Sequence, residues 1–493
     1  MNPDTTNYSR PLLLAASSSG VDEVNLKGRL ENSAVVVTAD PAAPALATTL
    51  RVLIANLRRL PIRLHIVADG GEGSLDSTLL AELEGLVLGI DPTRPLSLSW
   101  PDQFTVHVHV GVDTEKAHLS GVADGHGARL RPKGSSFPIL LQAGTGLGGL
   151  VAGAMLTAEV FKILVGVAPN RRGPLKEIDF CPVALGEPDG VVRLLPTLEG
   201  VALIGGGAIG TAVALILREL NAQGELTVVD PETYDEPNVA TYSLGGLRSA
   251  ASKQHKVQLI RDELPGVTVE PFIGKARDYI EAIDAGVSAM PVTVLGAVDS
   301  IEARHEIAAI HATNFLDGST GGATGTMLSL SEGTWSGPCL RCYYPTRRSQ
   351  EPTVIDVLAE RTGLSRERLA RGTDHLTADD LDALSVLTAE DRVTLEAHLG
   401  QAICGLGRAF GLVGEDAGYN PSAAFVAQQA AALVVGALIR GGVSASPNHV
   451  QYDALFGPYA GMTVPRKPRL SCRCQVDAVL HREVRDHRLN LVT

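Results

Sequence analysis

Short apolar runs alternate with helical stretches along the chain, and this rhythm predicts an α/β protein. The clearest instance is Val201 to Asp230, VALIGGGAIGTAVALILRELNAQGELTVVD. An apolar run (VALI) ends in Gly205-Gly206-Gly207-Ala208-Ile209-Gly210. A helical stretch follows, then a second apolar run (LTVV) that ends in Asp230. The order is strand, glycine turn, helix, strand, acid. Gly205, Gly207 and Gly210 let the backbone turn tightly and come close to a phosphate, at a helix N-terminus whose free N–H groups favour anions. Asp230 falls where a carboxylate can accept from ribose hydroxyls. The stretch predicts nucleotide binding.

The same pattern occurs earlier in weaker form. Ala34 to Asp69 reads AVVVTADPAAPALATTLRVLIANLRRLPIRLHIVAD. Strand AVVV matches VALI, helix LATTLRVLIANLRR matches TAVALILREL, and LHIVAD matches LTVVD. The glycine loop is replaced by Thr38-Ala39-Asp40-Pro41-Ala42-Ala43-Pro44. Prolines lack the N–H groups that hold a phosphate, and Asp40 would repel one. Two small-residue-rich apolar helices are also alike, Gly146 to Gly166 and Phe425 to Gly441. The chain therefore reads as two copies of one α/β domain, the first without a nucleotide site. Phe104 to Val112 alternates like a strand. Asn170 to Gly190 is polar and Pro/Gly-bearing, and reads as a linker.

Chemistry is expected in the second copy. The polar loop PETYDEPNVATYSLGG, with Asn238, follows Asp230 and would lie over the nucleotide. Lys253 and Lys256, in KQHKVQLIRDEL, could neutralise triphosphate charge. Pro291 to Asp299 (PVTVLGAVD) is a buried-type strand ending in an acid. Such strand ends are where ligands sit, and a carboxylate beside phosphates is a natural magnesium ligand. Ile301 to His311 reads as a helix, and Asn314 to Leu330 as a glycine-rich strand region. Cys339-Leu340-Arg341-Cys342 and Cys472-Arg473-Cys474 supply four thiolates in two close pairs, a donor set for structural zinc. Between the pairs, Pro352 to Leu399 is charged and helical, with Thr377 and Thr388 as N-cap candidates. Cys404 stands outside the pairs, and Cys181 reads as core.

Composition narrows the class. At 493 residues with 45% hydrophobic content, two or more domains with a large core are expected. A net charge of −13 argues against a nucleic-acid partner. No 18-residue apolar run free of charges or glycine breaks suggests a membrane span, and the N-terminus lacks the basic region of a signal peptide. The expectation is a cytoplasmic protein. The lysine-poor, Ala/Gly/Leu-rich composition suggests a bacterial one.

The glycine loop, Asp230, Asn238, Lys256, Asp299 and the CLRCYYP run, in this order, resemble the ThiF/MoeB and ubiquitin-activating enzyme family. The resemblance covers Val201 to about Tyr344 and resumes from Cys404 to Cys474. It implies tandem Rossmann-like adenylation domains forming a pseudo-dimer: an inactive one (1–190), an active one in two parts (191–345 and 404–493), and a helical insertion (346–403). Tyr8-Ser9-Arg10 matches the family's N-terminal Tyr-x-Arg-Gln motif, whose arginine reaches across the pair to ATP. The implied reaction uses ATP and Mg2+ to adenylate the C-terminal glycine of a ubiquitin-like β-grasp protein. Asp299 would hold magnesium, Lys256 and Arg10 would stabilise phosphates, and Asn238 would fix the polar loop. Cys404 would accept the acyl group as a thioester and pass it to a conjugating enzyme. Further oligomerisation is compatible with this reading.

Two positions depart from the family. Its Ser-Asn-Leu-x-Arg-Gln loop here has Thr241 for the arginine and Tyr242 for the glutamine, so one phosphate contact is lost or supplied elsewhere, with His255 or Lys253 as candidates. The alternatives are an adenylyltransferase for a sulfur carrier or peptide without conjugation, an NAD-dependent oxidoreductase using the same glycine loop, and a non-catalytic scaffold.

Overall fold

The computed structural model describes residues 8–19, 21–68, 75–115, 117–138, 141–167, 176–189, 191–321, 324–333, 337–345, 354–371, 375–384, 388–400, 403, 406–410, 423–442 and 448–490. In the N-terminal half, α1 (Ser9–Ser19) and α2 (Glu23–Glu31) precede β1 (Ala34–Ala39), α3 (Leu46–Arg58), β2 (Arg63–Ala68) and α4 (Ser77–Ile90). Then come β3 (Val106–Val110), β4 (Leu119–Asp124), β5 (Gly127–Pro132), α5 (Gly146–Val165) and β6 (Ile178–Phe180). The C-terminal half opens with β7 (Leu198–Ile204), α6 (Ala208–Glu219), β8 (Gly224–Val229), α7 (Lys256–Glu263), β9 (Val267–Phe272) and α8 (Ala276–Asp284). It continues with β10 (Thr293–Gly296), α9 (Ile301–Ala308), β11 (Asn314–Ser319), β12 (Gly325–Glu332), α10 (Ala424–Ile439), β13 (His449–Asp453) and α11 (Ala478–Asn490).

The first sheet has the order β2-β1-β3-β4-β5-β6 and the second β13-β12-β11-β10-β7-β8-β9. Read from β2 and from β8, the two match strand for strand. In both, four strands are parallel and the last two antiparallel. Only β9 lacks a full counterpart, and an isolated parallel bridge from His65 to Ser97 stands in its place. The fold is a mixed α/β tandem of Rossmann-like units. The segment expected as a linker, Asn170 to Gly190, carries β6, which completes the first sheet against β5. Its three residues are too few to show an apolar alternation in sequence.

The halves meet through helices. α3 and α5 of the first half pack on α6 and α10 of the second, and one continuous core contains residues of both. Small residues let these helices approach: a β-carbon on Gly153 would stand 2.8 Å from the Thr49 carbonyl oxygen. Phe161 and Phe425 meet at the interface with ring centroids 5.6 Å apart. Truncating either to alanine would cost about 3–5 kcal/mol. α5 is long and apolar enough to cross a membrane by length and composition, but 94% of its apolar window is buried in the fold. Its hydrophobicity is that of a core helix.

The second sheet is covered on its other face too. Ile204, Val229, Val294 and Phe315 pack there against Tyr279 and Ile283 of α8 and Ile307 of α9. Between the cysteine pairs, the described residues form short helices: Val354–Thr362, Arg366–Arg371, Ala378–Ala383 and Ala389–Ala397. They gather around a separate core that includes Leu358, Leu369, Leu381 and Leu395. Thr377 and Thr388 accept from the backbone N–H groups of Asp380 and Asp391, as N-caps do.

Candidate nucleotide site

The turn after β7 has the geometry that its glycines predict. Gly205 has φ +100°, and a β-carbon on Gly210 would lie 2.0 Å from the Gly205 carbonyl oxygen. Only glycine allows α6 to start this close to the strand. Gly207 caps α6 without a side-chain hydrogen bond, so the first N–H groups of the helix stay open toward an anion. Asp230 is buried and spans the turn. Its Oδ2 accepts from Gly206 N (2.7 Å) and its Oδ1 from Glu232 N (2.8 Å). Each oxygen keeps a lone pair that a ribose hydroxyl could use. Burial pushes the Asp230 carboxyl pKa up, against the pull of the Lys256 charge.

The corresponding turn after β1 is closed on itself. Asp40 Oδ1 accepts from Ala42 N (2.9 Å), and the Asp40 carbonyl from Ala43 N (2.9 Å). Donors that could face a phosphate are consumed within the turn. Thr38 Oγ1 sits between His107 Nε2 (2.9 Å) and His109 Nδ1 (3.0 Å), filling the strand ends with side chains.

The polar loop of the second half folds as a 3₁₀ turn, Glu236–Ala240. Asn238 Oδ1 accepts from Asp235 N (2.8 Å), and its carbonyl accepts from Thr241 N (3.0 Å) and Tyr242 N (2.8 Å). Lys256, at the start of α7, is buried under this loop. Its Nζ donates to Glu232 and to Tyr242 Oη (2.9 Å). Burial alone would lower the Lys256 pKa, but the neighbouring Tyr242, Asp230 and Glu232 raise it, so the ammonium stays charged. Lys253 instead forms an exposed ion pair with Asp235. His255 is the N-cap residue of α7, without a side-chain cap bond. Neither stands at Thr241.

What does stand there comes from the other half. Arg10 Nη1 reaches Thr241 Oγ1 at 3.4 Å. Its helix is anchored by Tyr8, whose hydroxyl donates to Asp91 at the end of α4. Arg59, just past α3, is fully buried. Its Nε donates to the Val239 carbonyl (2.9 Å) and its Nη2 to the Tyr242 carbonyl. Burial pushes its pKa down to about 10. Asn56 donates to Gln428 (2.7 Å), and Gln428 to Ser243 (3.2 Å), which ties α3, α10 and the polar loop together.

The end of β10 completes the site. Asp299 is exposed on the turn after the strand, next to Ser300, whose Oγ caps α9. The turn is held from behind by Arg304, which donates to the carbonyls of Val298 (2.5 Å) and Ser300 (3.3 Å). Arg304 pairs with Asp317 at 3.1 Å, and both are buried. An exposed carboxylate on a braced turn suits magnesium, which keeps most of its waters.

The four paired cysteines converge. Cys339 Sγ lies 3.9 Å from Cys342 Sγ and 3.6 Å from Cys472 Sγ, and Cys342 Sγ 3.5 Å from Cys474 Sγ. All four sulfurs fall within 4.8 Å of one another. With a metal–sulfur bond of about 2.3 Å, a tetrahedral zinc needs sulfur–sulfur edges of about 3.8 Å, so the set fits zinc. Arg469 N (3.3 Å) donates to Cys342 Sγ and Gln475 Nε2 (3.6 Å) to Cys474 Sγ, as N–H groups do toward thiolates. Cys181 is buried in the core. Cys404, expected as the acyl acceptor, lies outside the described residues.

Arg59, Tyr242 and the Arg304–Asp317 pair were not singled out as site residues from the sequence. For Tyr242 the signal was present, as a departure from the family loop. The profile of the ThiF family matches residues 184–474. The chain belongs to the ThiF family. No curated protein matches it in sequence. Among solved structures, E. coli MccB with MccA-N7isoASN aligns at 12% identity over 56% of this chain and 66% of that one, with a TM-score of 0.35. E. coli MccB with AMPCPP and MccA aligns at 15% identity, TM-score 0.25, over 30% of this chain; this chain spans 44% of that protein's length. PaaA aligns at 18% identity over 42% of this chain and 57% of that one, with a TM-score of 0.25. This ThiF-family chain thus overlaps each of them only in part.

Proposed function

We propose that the chain is an ATP-dependent adenylyltransferase acting on the C-terminal carboxylate of a ubiquitin-like protein. The supporting observation is the meeting of Arg10 from one half with the Lys256–Tyr242 pair of the other, beside an open helix N-terminus. A carboxylate oxygen of the substrate attacks the α-phosphorus of ATP. The bond from that phosphorus to the bridging oxygen breaks, and pyrophosphate leaves with the electron pair. The product is an acyl-adenylate. The nucleophile arrives ionised, so no general base is required, and the protein contributes position and charge neutralisation. Lys256, Arg10 and the α6 N-terminus take up the growing negative charge. Asp299 would hold magnesium, which neutralises phosphate charge when bound. The four cysteines would hold zinc in a closed structural site away from the reaction.

In the finer reading, Cys404 attacks the acyl-adenylate as a thiolate, AMP leaves, and the thioester passes to a conjugating enzyme. The test is ATP–pyrophosphate exchange by the full chain with a ubiquitin-like protein, with a short peptide, and alone. Exchange that needs the ubiquitin-like protein, with a thiol-sensitive adduct lost in Cys404→Ala, supports the whole reading. Exchange with the peptide alone assigns a peptide adenylyltransferase. Binding of NAD with no exchange rejects adenylation.

A further inference from the structure

The hydrogen-bonding capacity of the Tyr242 hydroxyl is only half used. Its oxygen lies 2.9 Å from Lys256 Nζ. An ammonium has three donors and no acceptor, so the phenol oxygen accepts in this pair. The phenol proton must then be donated in another direction, and among the described residues it has no acceptor. Tyr242 is 6% exposed, which makes an unspent donor costly unless something fills the space before it.

The hydroxyl stands beside the glycine turn. A β-carbon built on Gly207 would lie 3.6 Å from Tyr242 Oη, and one on Gly206 would lie 3.0 Å from Lys256 Cβ. The phenol therefore borders the open N-terminus of α6. Its position is fixed from three sides. The Tyr242 N–H donates to Asn238, its carbonyl accepts from Arg59, and Tyr234 packs edge-on at 5.6 Å between centroids. The Lys256 ammonium also lies 5.1 Å from the centre of the Tyr242 ring. A phenol that accepts from a cation becomes a stronger donor through its own proton.

We propose that Tyr242 is a phosphate-binding residue: its hydroxyl donates to a phosphate oxygen of the nucleotide at the glycine turn, polarised by Lys256 from behind. This rests on the nucleotide reading given above and adds a residue to it. Tyr242→Phe removes one oxygen and keeps the ring. In the full chain, titration calorimetry with Mg–ATP should show affinity reduced about tenfold, the effect of losing a hydrogen bond to a charged group. Affinity for adenosine, which has no phosphate, should not change, and the melting temperature should stay within about 2 °C. Unchanged ATP affinity, or equal losses for ATP and adenosine, would overturn the proposal while leaving the nucleotide reading intact. Failure of the wild-type chain to bind ATP overturns both. An independent measurement places 3-fluorotyrosine at position 242. Its ¹⁹F resonance should move on addition of ATP and stay fixed with adenosine, and a resonance indifferent to ATP counts against the assignment.

Discussion

Arg59 Nε lies 2.9 Å from the carbonyl oxygen of Val239, so a residue of the half without a site holds the loop that covers the site in the other. The same guanidinium reaches the Tyr242 carbonyl. Arg59→Met would leave both carbonyls buried without a donor, at about 1–3 kcal/mol each. The expected result is a loss of about 2–4 kcal/mol in urea unfolding, with a raised KM for ATP. Arg59→Lys should recover only part of this, because a single ammonium cannot reproduce the two-pronged contact. Full recovery by lysine would show that charge alone matters.

Asp299 is exposed and makes no contact that the fold requires. Asp299→Ala should therefore melt within about 1 °C of the wild type, since surface changes are usually within about 0.5 kcal/mol. Magnesium-dependent pyrophosphate exchange should fall by at least about a hundredfold, the scale of removing one charge-stabilising group. Retained exchange would remove Asp299 from the site.

Arg304 and Asp317 form a buried pair that braces the Asp299 turn. Arg304→Met leaves the Asp317 carboxylate unpaired in the core and should cost about 3–5 kcal/mol. Arg304→Met with Asp317→Leu should recover much of the stability. Exchange activity should stay low in this double variant, because the Val298 and Ser300 carbonyls still lack their donor. If activity returns with stability, the pair serves the core alone.

The cysteine cluster should carry about one zinc per chain by elemental analysis. It joins Cys339 and Cys342 to the distant segment around Cys472 and Cys474. A chelator, or Cys342→Ser, should lower the melting temperature and expose the C-terminal segment to protease. Unfolding should precede any loss of activity. A chain that loses exchange on chelation while its melting curve is unchanged would assign the metal a role in the reaction.

The glycine turn, Asp230 and the second copy of the αβ unit were legible because each is local: a few adjacent residues with restricted backbone chemistry. The cysteine pairs were legible because two short spacings supply a complete donor set. The short β6 was not, because pairing with β5 defines it rather than its own three residues. Arg59 could not be found, since Leu57-Arg58-Arg59 at a helix end reads as ordinary charge near a C-terminus. Its partners lie 180 residues or more along the chain. Thr241 and Tyr242 were read as a loss relative to the family, whereas in the fold Arg10 approaches the first and Lys256 the second. Phe104 to Val112 was recognised as a strand, but its place as the counterpart of β10 emerges only from the matching order of the two sheets.

Arg10 and Thr241 belong to one polypeptide, and this decides a genetic question. In a symmetric pair of identical subunits, a copy lacking the arginine and a copy lacking the acid can together rebuild one intact centre. Here both residues travel on the same gene product. Co-expressing an Arg10→Ala chain with an Asp299→Ala chain should therefore give no complementation, and each molecule should bind at most one nucleotide at the glycine turn.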